Sequence, residues 1–344
     1  MPSGPRVPVA LDGHGADGGP EIVIEGAGLA AADGIPVRVF GPAGQDPPDG
    51  VELVACDQWI SNDAEPVAAV RSQPDASIVR ASASAAAGES AAVVGAGSTG
   101  ATMTAALFAL RRLKGVHRPA LAAQIPVPGD DRGTVLFLDA GANTEFRPQH
   151  LVQFAFMGSA FSQAVLETPV PRVALLSVGE EQKKGNPSVV EAHERLVASP
   201  GIEFVGNVEG RDLLTGAADV IVTDGFTGNV TLKTLEGTAR AVGDAVREAA
   251  RSGPISAAGG LMLRPALAGL RASMDPNGVG GAILLGLRGV AVVAHGSSSA
   301  EGIANAVRLA DRAARERAVE RTAELLADSG ATREALRERP QQAR

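Results

Sequence analysis

The feature that most restricts this chain is a recurring pattern. A short apolar run rich in valine is followed by a turn of glycine and polar residues, then by an alanine-rich stretch of helical length. Eight runs read as strands: Val7–Leu11, Val37–Phe40, Val51–Ala55, Ala91–Val94, Val135–Leu138, Val173–Val178, Val220–Thr223 and Val290–Ala294. Most are apolar at nearly every position, which suits strands of a parallel sheet covered on both faces. Helices are predicted over Glu21–Ala32, Ala101–Leu113, His150–Leu166, Ser188–Val197, Val230–Arg251 and Ala300–Leu326. This alternation specifies an α/β layered fold. At 34.8 kDa, area scaling gives roughly 13,000 Å² exposed when folded against about 50,000 Å² unfolded, enough for a large core. Residues 1–330 are expected to form a single α/β domain, with a helical tip protruding at about 253–277. Residues 331–344, rich in charge, are expected to fray.

Composition removes several classes of function. Only 3% of residues are aromatic and the formal charge is −8. Base-stacking platforms and electrostatic attraction to nucleic acid are both lacking, so no nucleic-acid partner is expected. The single cysteine, Cys56, excludes an internal disulfide framework and a thiolate zinc cluster. The start, Met1-Pro2-Ser3-Gly4-Pro5-Arg6, has no apolar signal region, and no apolar run reaches the roughly 18 residues of a membrane span. The expected location is the cytoplasm.

The turns carry the chemistry. Asp12-Gly13-His14-Gly15-Ala16-Asp17 follows the first strand, and later strands lead into Gly97-Ser98-Thr99-Gly100, Asp139-Ala140-Gly141-Ala142-Asn143 and Gly179–Asn186. Asp224-Gly225-Phe226-Thr227-Gly228-Asn229 and His295-Gly296-Ser297-Ser298-Ser299 complete the set. If the sheet is parallel throughout, all six turns gather at its carboxyl edge and line one polar cleft. Gly95-Ala96-Gly97-Ser98-Thr99-Gly100 fits G-x-G-x-x-G, a loop that presents backbone N–H groups at a positive helix end and suits an anion. The acid that a dinucleotide site needs about 20 residues later is missing from Arg118–Gln124.

Lys184 lies in a glycine-flanked loop just before Asn186-Pro187, a helix start, where its ammonium can stand beside anion-binding amides. Lys183 reads equally well as a solvated neighbour, and Glu180 and Glu181 as one solvated carboxylate and one lysine partner. His295 ends an apolar strand before a serine-rich helix start, a place for a proton donor or an anion contact. Packed, hydrogen-bonded histidine is the competing reading. Leu263, Leu267, Leu270 and Met274 recur at helical spacing with Arg264 and Arg271 alongside. Such a stripe serves either a membrane surface or core and dimer packing. Arg111, Arg112, Lys114 and Arg118 form a basic patch on an acidic chain. A helix dipole accounts for it, and so does an acidic protein partner.

From about Val7 to Arg312 the chain resembles the bacterial phosphate acyltransferase family of phospholipid synthesis (acyl-acyl-carrier-protein:phosphate acyltransferase). The resemblance is densest in Ala105–Phe108, in Arg147-Pro148-Gln149-His150-Leu151-Val152-Gln153-Phe154, in Gly206-Asn207-Val208-Glu209-Gly210-Arg211-Asp212 and over Asp224–Gly237. His295–Ser298 with Ala304-Asn305-Ala306-Val307-Arg308 completes it. The resemblance implies a three-layer αβα sandwich of isopropylmalate-dehydrogenase type with a mostly parallel sheet, a homodimer, and no cofactor or metal. It implies transfer of a long-chain acyl group from acyl carrier protein to inorganic phosphate. Peripheral contact with the membrane and with the downstream glycerol-3-phosphate acyltransferase follows from the same likeness.

For that chemistry His295 and Lys184 are the candidate catalytic residues. Ser98, Thr99, Asn143, Asn186, Asn229, Ser297 and Ser298 are the candidate substrate contacts. The family usually has G-N-T-G where this chain has Gly97–Gly100, A-M-G-G-D at Gly13–Asp17, and S-S-D at Ser297–Ser299. A dehydrogenase of the same fold and a non-catalytic carrier-protein or membrane-binding module remain as rival readings.

Overall fold

The computed structural model describes residues 6–129, 133–273 and 276–338, with side chains omitted for 265–273, 276–277 and 337–338. In chain order its elements are β1 (Val9–Asp12), α1 (Gly19–Ala32), β2 (Val37–Gly41), β3 (Val51–Ala55), α2 (Pro66–Ser72), α3 (Ser77–Ala86), β4 (Ala92–Gly95) and α4 (Thr99–Leu110). Next come β5 (Ala120–Pro126), β6 (Thr134–Leu138), α5 (Pro148–Ala164), β7 (Arg172–Leu176), α6 (Pro187–Val197), β8 (Glu203–Val208), β9 (Val220–Val222) and α7 (Gly225–Arg251). The chain continues through α8 (Pro254–Ser273), β10 (Ala282–Leu285), β11 (Val290–Val293), α9 (Ala300–Arg315), α10 (Ala318–Asp328) and α11 (Arg333–Glu338). Short 3-10 turns lie at Gly210–Asp212 and Pro276–Val279.

All strands join one sheet in the order β3-β2-β1-β4-β11-β10-β5-β6-β9-β7-β8. Its central strands are buried on both faces, as their unbroken apolar runs require. Helices cover both faces, and α5 is enclosed: fourteen of its seventeen residues are buried, as befits a helix apolar all round. Helix starts follow local rules. Proline opens α2, α5 and α6, while Ser98, Asn186, Asp224 and Ser299 cap α4, α6, α7 and α9 through their side-chain oxygens.

The sheet is mostly parallel, but three junctions are antiparallel: β11 with β10, β10 with β5, and β5 with β6. Strand direction therefore reverses between the half holding β1, β4 and β11 and the half holding β6, β9 and β7. The six polar turns expected on one carboxyl edge are thereby divided between two. The turns after β1, β4 and β11 lie on one edge, and those after β6, β7 and β9 lie on the other. The two strands that cause the reversal, β5 and β10, were not read as strands. Ala120-Leu121-Ala122-Ala123-Gln124 has no β-branched residue, and Ala282-Ile283-Leu284-Leu285 reads as helix, so tertiary pairing overrides local preference.

Smaller corrections follow. The long helix expected over Ala300–Leu326 breaks into α9 and α10 at Arg317, which sits in the left-handed region at φ 54°. The tail expected to fray from residue 331 is docked at its start: Ala331 and Leu336 are buried, and the Arg333 N–H donates to the Gly115 carbonyl at 2.7 Å. Within the range of the expected tip, α8 spans Pro254–Ser273. Ile255, Leu261, Met262 and Leu263 are exposed there, whereas the side chains of Leu267, Leu270, Arg271 and Met274 lie outside the described residues. Helix α7 buries only Gly225 and Gly228.

Candidate active site

On the first edge, the turns after β1, β4 and β11 interlock. Gly15 and Gly97 meet so closely that a Cβ on Gly15 would lie 2.8 Å from the Gly97 Cα. The Asp17 N–H donates to the Gly296 carbonyl at 2.8 Å. The N-termini of α1, α4 and α9 thus come to one place, and aligned peptide dipoles make it favourable for an anion. Ser98 is half-buried and caps α4 by accepting from the Ala101 N–H at 3.3 Å, which leaves its hydroxyl proton free to donate. Thr99 is exposed beside it.

His295 is exposed at the end of β11. Its Nδ1 accepts from the Ser297 N–H at 3.2 Å and lies 2.8 Å from the Ser297 hydroxyl. A backbone N–H can only donate, so the neutral ring carries its proton on Nε2. Ser297, expected to touch substrate, instead orients His295, because its N–H and hydroxyl are both engaged with the ring. The Ser298 N–H donates to the His295 carbonyl at 2.9 Å, and Ser298 is buried.

Asp12, buried at the end of β1, was missed as a functional candidate. Burial pushes its carboxyl up to about 6, against weaker opposing hydrogen bonds. One of these is the His14 N–H at 3.2 Å. His14 in turn stacks on Trp59, with ring centroids 5.2 Å apart, and its Nε2 lies 2.8 Å from the Cys56 carbonyl.

The second edge is organised by carboxylates. Asp139 is fully buried, and its two oxygens accept from the N–H groups of Leu121, Gly141, Ala142 and Asn143 at 2.8–3.2 Å. Burial raises its pKa, and these bonds oppose the rise. Asn143 was expected to touch substrate, but both its Nδ2 donors are spent, on the Pro119 carbonyl and on Asp139, each at 2.7 Å. It holds the turn.

The first turn of α7 presses on this cradle. A Cβ at Gly228 would lie 1.8 Å from the Asp139 carbonyl oxygen, which explains the glycine spacing in Asp224–Asn229. Asn229 is exposed and stands beside Gly141.

Lys184 and Lys183 are both exposed in the turn after β7. The Lys184 N–H donates to the Glu181 carbonyl at 2.9 Å, and the Ser177 hydroxyl donates to the Lys184 carbonyl at 2.8 Å. Behind the loop, buried His193 and Asn207 pair at 2.9 Å, and Asn207 Nδ2 donates to the Glu181 carbonyl at 3.0 Å. These supports were not foreseen, although Asn207 lies in the Gly206–Asp212 string. Asn186, expected at the substrate, caps α6 through its Oδ1, accepting from Ser188 and Val189 at 3.0 and 3.1 Å. Glu180 pairs with Arg211 at 3.5 Å, not with a lysine.

The structure therefore gathers Ser98, Thr99, His295, Ser297 and Ser298 on one edge, and Asn143, Lys184, Asn186 and Asn229 on the other. No hydrogen bond or ion pair joins the two groups among the described residues. No group of three His, Cys, Asp or Glu side chains there is placed to hold a metal. No helix there is long and apolar enough to cross a membrane.

Solved structures with this fold include a phosphotransacetylase from Streptococcus pyogenes, 17% identical, with 91% of this chain and 94% of that one covered and a TM-score of 0.59. The 4-hydroxythreonine-4-phosphate dehydrogenase from Klebsiella pneumoniae, also 17% identical, covers 91% and 99% at a TM-score of 0.51. At these identities the likeness is one of fold.

Closer in sequence is a phosphate acyltransferase of Lactococcus lactis subsp. cremoris, 42% identical over 312 residues, 87% of this chain and 92% of the relative. One from Anaeromyxobacter dehalogenans is 42% identical over 340 residues, 95% and 92% respectively. Fold and relatives together define an enzyme that transfers an acyl group to phosphate, and the dehydrogenase and non-catalytic readings give way to it. The chain belongs to the family described as fatty acid synthesis protein, whose model matches residues 7–321.

Two of the three departures from the family pattern now have a physical reading. Ser98 replaces Asn and Ser299 replaces Asp, and both are helix N-caps. Ser, Asn and Asp serve that position about equally well.

Proposed function

We propose that this enzyme takes a long-chain acyl group from acyl-[acyl-carrier protein] and passes it to inorganic phosphate, the first step toward phosphatidic acid in phospholipid synthesis. The observation that carries this reading is His295, held with Nε2–H outward beside the N-termini of α4 and α9. A phosphate oxygen attacks the thioester carbonyl and the C–S bond breaks; the departing thiolate is met by a hydrogen bond from His295 Nε2–H and takes the proton that the phosphate gives up as it becomes the acyl phosphate. A thiol of pKa about 8.5 is an adequate leaving group, so no covalent enzyme intermediate is needed. The site supplies a positioned phosphate and donors aimed at the developing oxyanion.

Lys184 and Asn229 stand on the opposite edge, and a homodimer gives them a way to contribute. A second copy related by a two-fold axis can set its Asp139 edge against the His295 edge of the first. The scantily buried α7, with Val230, Val242 and Val246 exposed, supports a partner copy. We place the enzyme in the cytoplasm, with α8 in peripheral contact with the membrane, beside the glycerol-3-phosphate acyltransferase that takes the product.

Incubating the purified protein with palmitoyl-carrier protein, with and without phosphate, tests the reaction. Acyl phosphate and free carrier are expected only with phosphate, and phosphate-independent turnover refutes the reading. Replacing Leu261 and Leu263 with Gln is expected to reduce vesicle binding of the folded dimer, and unchanged binding removes the membrane role.

A further inference from the structure

Although the chain carries a formal charge of −8, one stretch of its surface is strongly basic. Arg111, Arg112, Lys114 and Arg118 lie in the loop from α4 to β5, Arg288 in the turn from β10 to β11, and Arg147 at the start of α5. All six are exposed. The register places these loops on the sheet edge that holds the Asp139 turn. Elsewhere arginines pair with carboxylates, as Arg38 does with Glu52, Arg172 with Asp219 and Arg308 with Asp33. None of the six has a carboxylate within ion-pair distance among the described residues.

Their placement is fixed. The Arg288 N–H donates to the Arg111 carbonyl at 3.0 Å and its Nε to the Arg112 carbonyl at 3.1 Å, which locks the two loops together. The patch also adjoins the site turn, because Asn143 donates to the carbonyl of Pro119, next to Arg118. Buried His150 reports the local field. Its pKa is held down to about 4 by burial and then by His117, Arg118 and Arg147.

A helix dipole explains one or two cations after α4, but not Arg147 or Arg288, which come from other elements. We propose that this basic stretch, beside the part of the edge that would face a second copy, is the docking surface for an acidic protein, and that its docking aims a thioester arm at the Gly141–Asn229 turn. The inference rests on the reaction proposed above for the identity of the partner. Unpaired cations on an otherwise acidic enzyme attract such a partner and raise its encounter rate while repelling little.

The test uses the full-length enzyme with the double reversal Lys114→Glu and Arg118→Glu, checked for folding by thermal melting. With palmitoyl-carrier protein, KM is expected to rise roughly tenfold or more. With palmitoyl-pantetheine, which has no protein surface, KM and kcat should stay within about twofold. For the unaltered enzyme, added salt should weaken use of the carrier but not of the pantetheine thioester. If the reversal fails to fold, Lys114→Gln with Arg118→Gln carries the same comparison with about a threefold shift.

An unchanged carrier KM, or equal changes with both donors, overturns the surface. So does loss of binding to anionic vesicles with carrier use intact, which would make the patch a lipid contact. Carrier binding by fluorescence anisotropy reads the surface apart from turnover. A chain that binds carrier through the patch yet transfers no acyl group refutes the reaction and keeps the surface.

Discussion

The two edges of the sheet use the same parts, strand ends leading through glycine turns into helices, yet they dispose of their backbone amides differently. On the second edge Asp139 takes four N–H groups, Asp224 takes those of Phe226 and Thr227, and Asn186 takes two more. Amides already engaged cannot bind substrate, so positive charge there must come from side chains such as Lys184. On the His295 edge, α1 has no side-chain cap, and Ser98 and Ser299 each occupy one amide. There the backbone itself is free to hold an anion. Under the reaction proposed above these edges are two half-sites, one made of dipoles and the His295 Nε2–H, the other of cations on a rigid carboxylate frame.

The sharpest way to break that division is at His295. His295→Ala should lower kcat with the carrier donor by about 10² to 10⁴ and leave phosphate KM little changed. A loss confined to KM would make His295 a binding residue only.

The two buried aspartates should then answer in opposite directions. Burial lifts the Asp12 carboxyl to about 6, above the ordinary aspartate range. The folded chain therefore holds an extra proton between about pH 4 and 6, and the associated stability is lost as pH rises through 6. Asp12→Asn should remove that loss and stabilise the chain at pH 7 by up to about 3 kcal/mol. Asp139→Asn should destabilise it, because one carboxylate oxygen becomes an NH2 group and the N–H donors hydrogen-bonded to that oxygen lose their acceptor, each bond worth about 1–3 kcal/mol when left unmade. Chemical denaturation from pH 4 to 8 reads both, and shifts of the same sign would erase the contrast.

Next in size is Lys184→Ala. A charge-assisted hydrogen bond of about 1.5–3 kcal/mol predicts phosphate use weakened roughly 10- to 150-fold, with Lys183→Ala nearly silent. Equal small effects would make Lys184 a surface lysine. If the half-sites meet only between subunits, mixing the impaired His295→Ala and Lys184→Ala chains should restore part of the activity in mixed dimers. No recovery after subunit exchange would confine the site to one chain.

Smallest are the cap swaps. Ser98→Asn and Ser299→Asp should each change stability by no more than about 0.5 kcal/mol, whereas the Ala variants should cost about 0.5–2 kcal/mol. A large change in turnover with Ser98→Asn would show that this residue does more than cap α4.

Legibility in the sequence followed chemistry that is local. Valine runs marked most strands, and Asn186-Pro187 and Asp224-Gly225 marked helix starts, because caps and prolines act within a turn of themselves. What the sequence hid depends on distant pairing. Ala120–Pro126 and Ala282–Leu285 carry no strand signature, yet they decide on which edge every later turn falls. That is why Lys184 was expected beside Ser98 and Ser297 and lies on the opposite edge. The residue types at Asn143, Asn186 and Ser297 suited substrate contacts equally well. Only the hydrogen bonds revealed that the Asn143 Nδ2, the Asn186 Oδ1 and the Ser297 hydroxyl already had partners.

The late position of β10 and β11 also governs how the protein can be made. These strands join β4 to β5, yet Ala282 follows its partner Ala123 by nearly half of the chain. During synthesis, at about 5–20 residues per second, the β1–β4 piece and the β5–β9 piece both emerge before anything links them. For seconds each presents an open inner edge, β4 on one and β5 on the other, of the kind that recruits foreign strands. Nascent chains halted before residue 282 should therefore need chaperone cover that the finished protein does not.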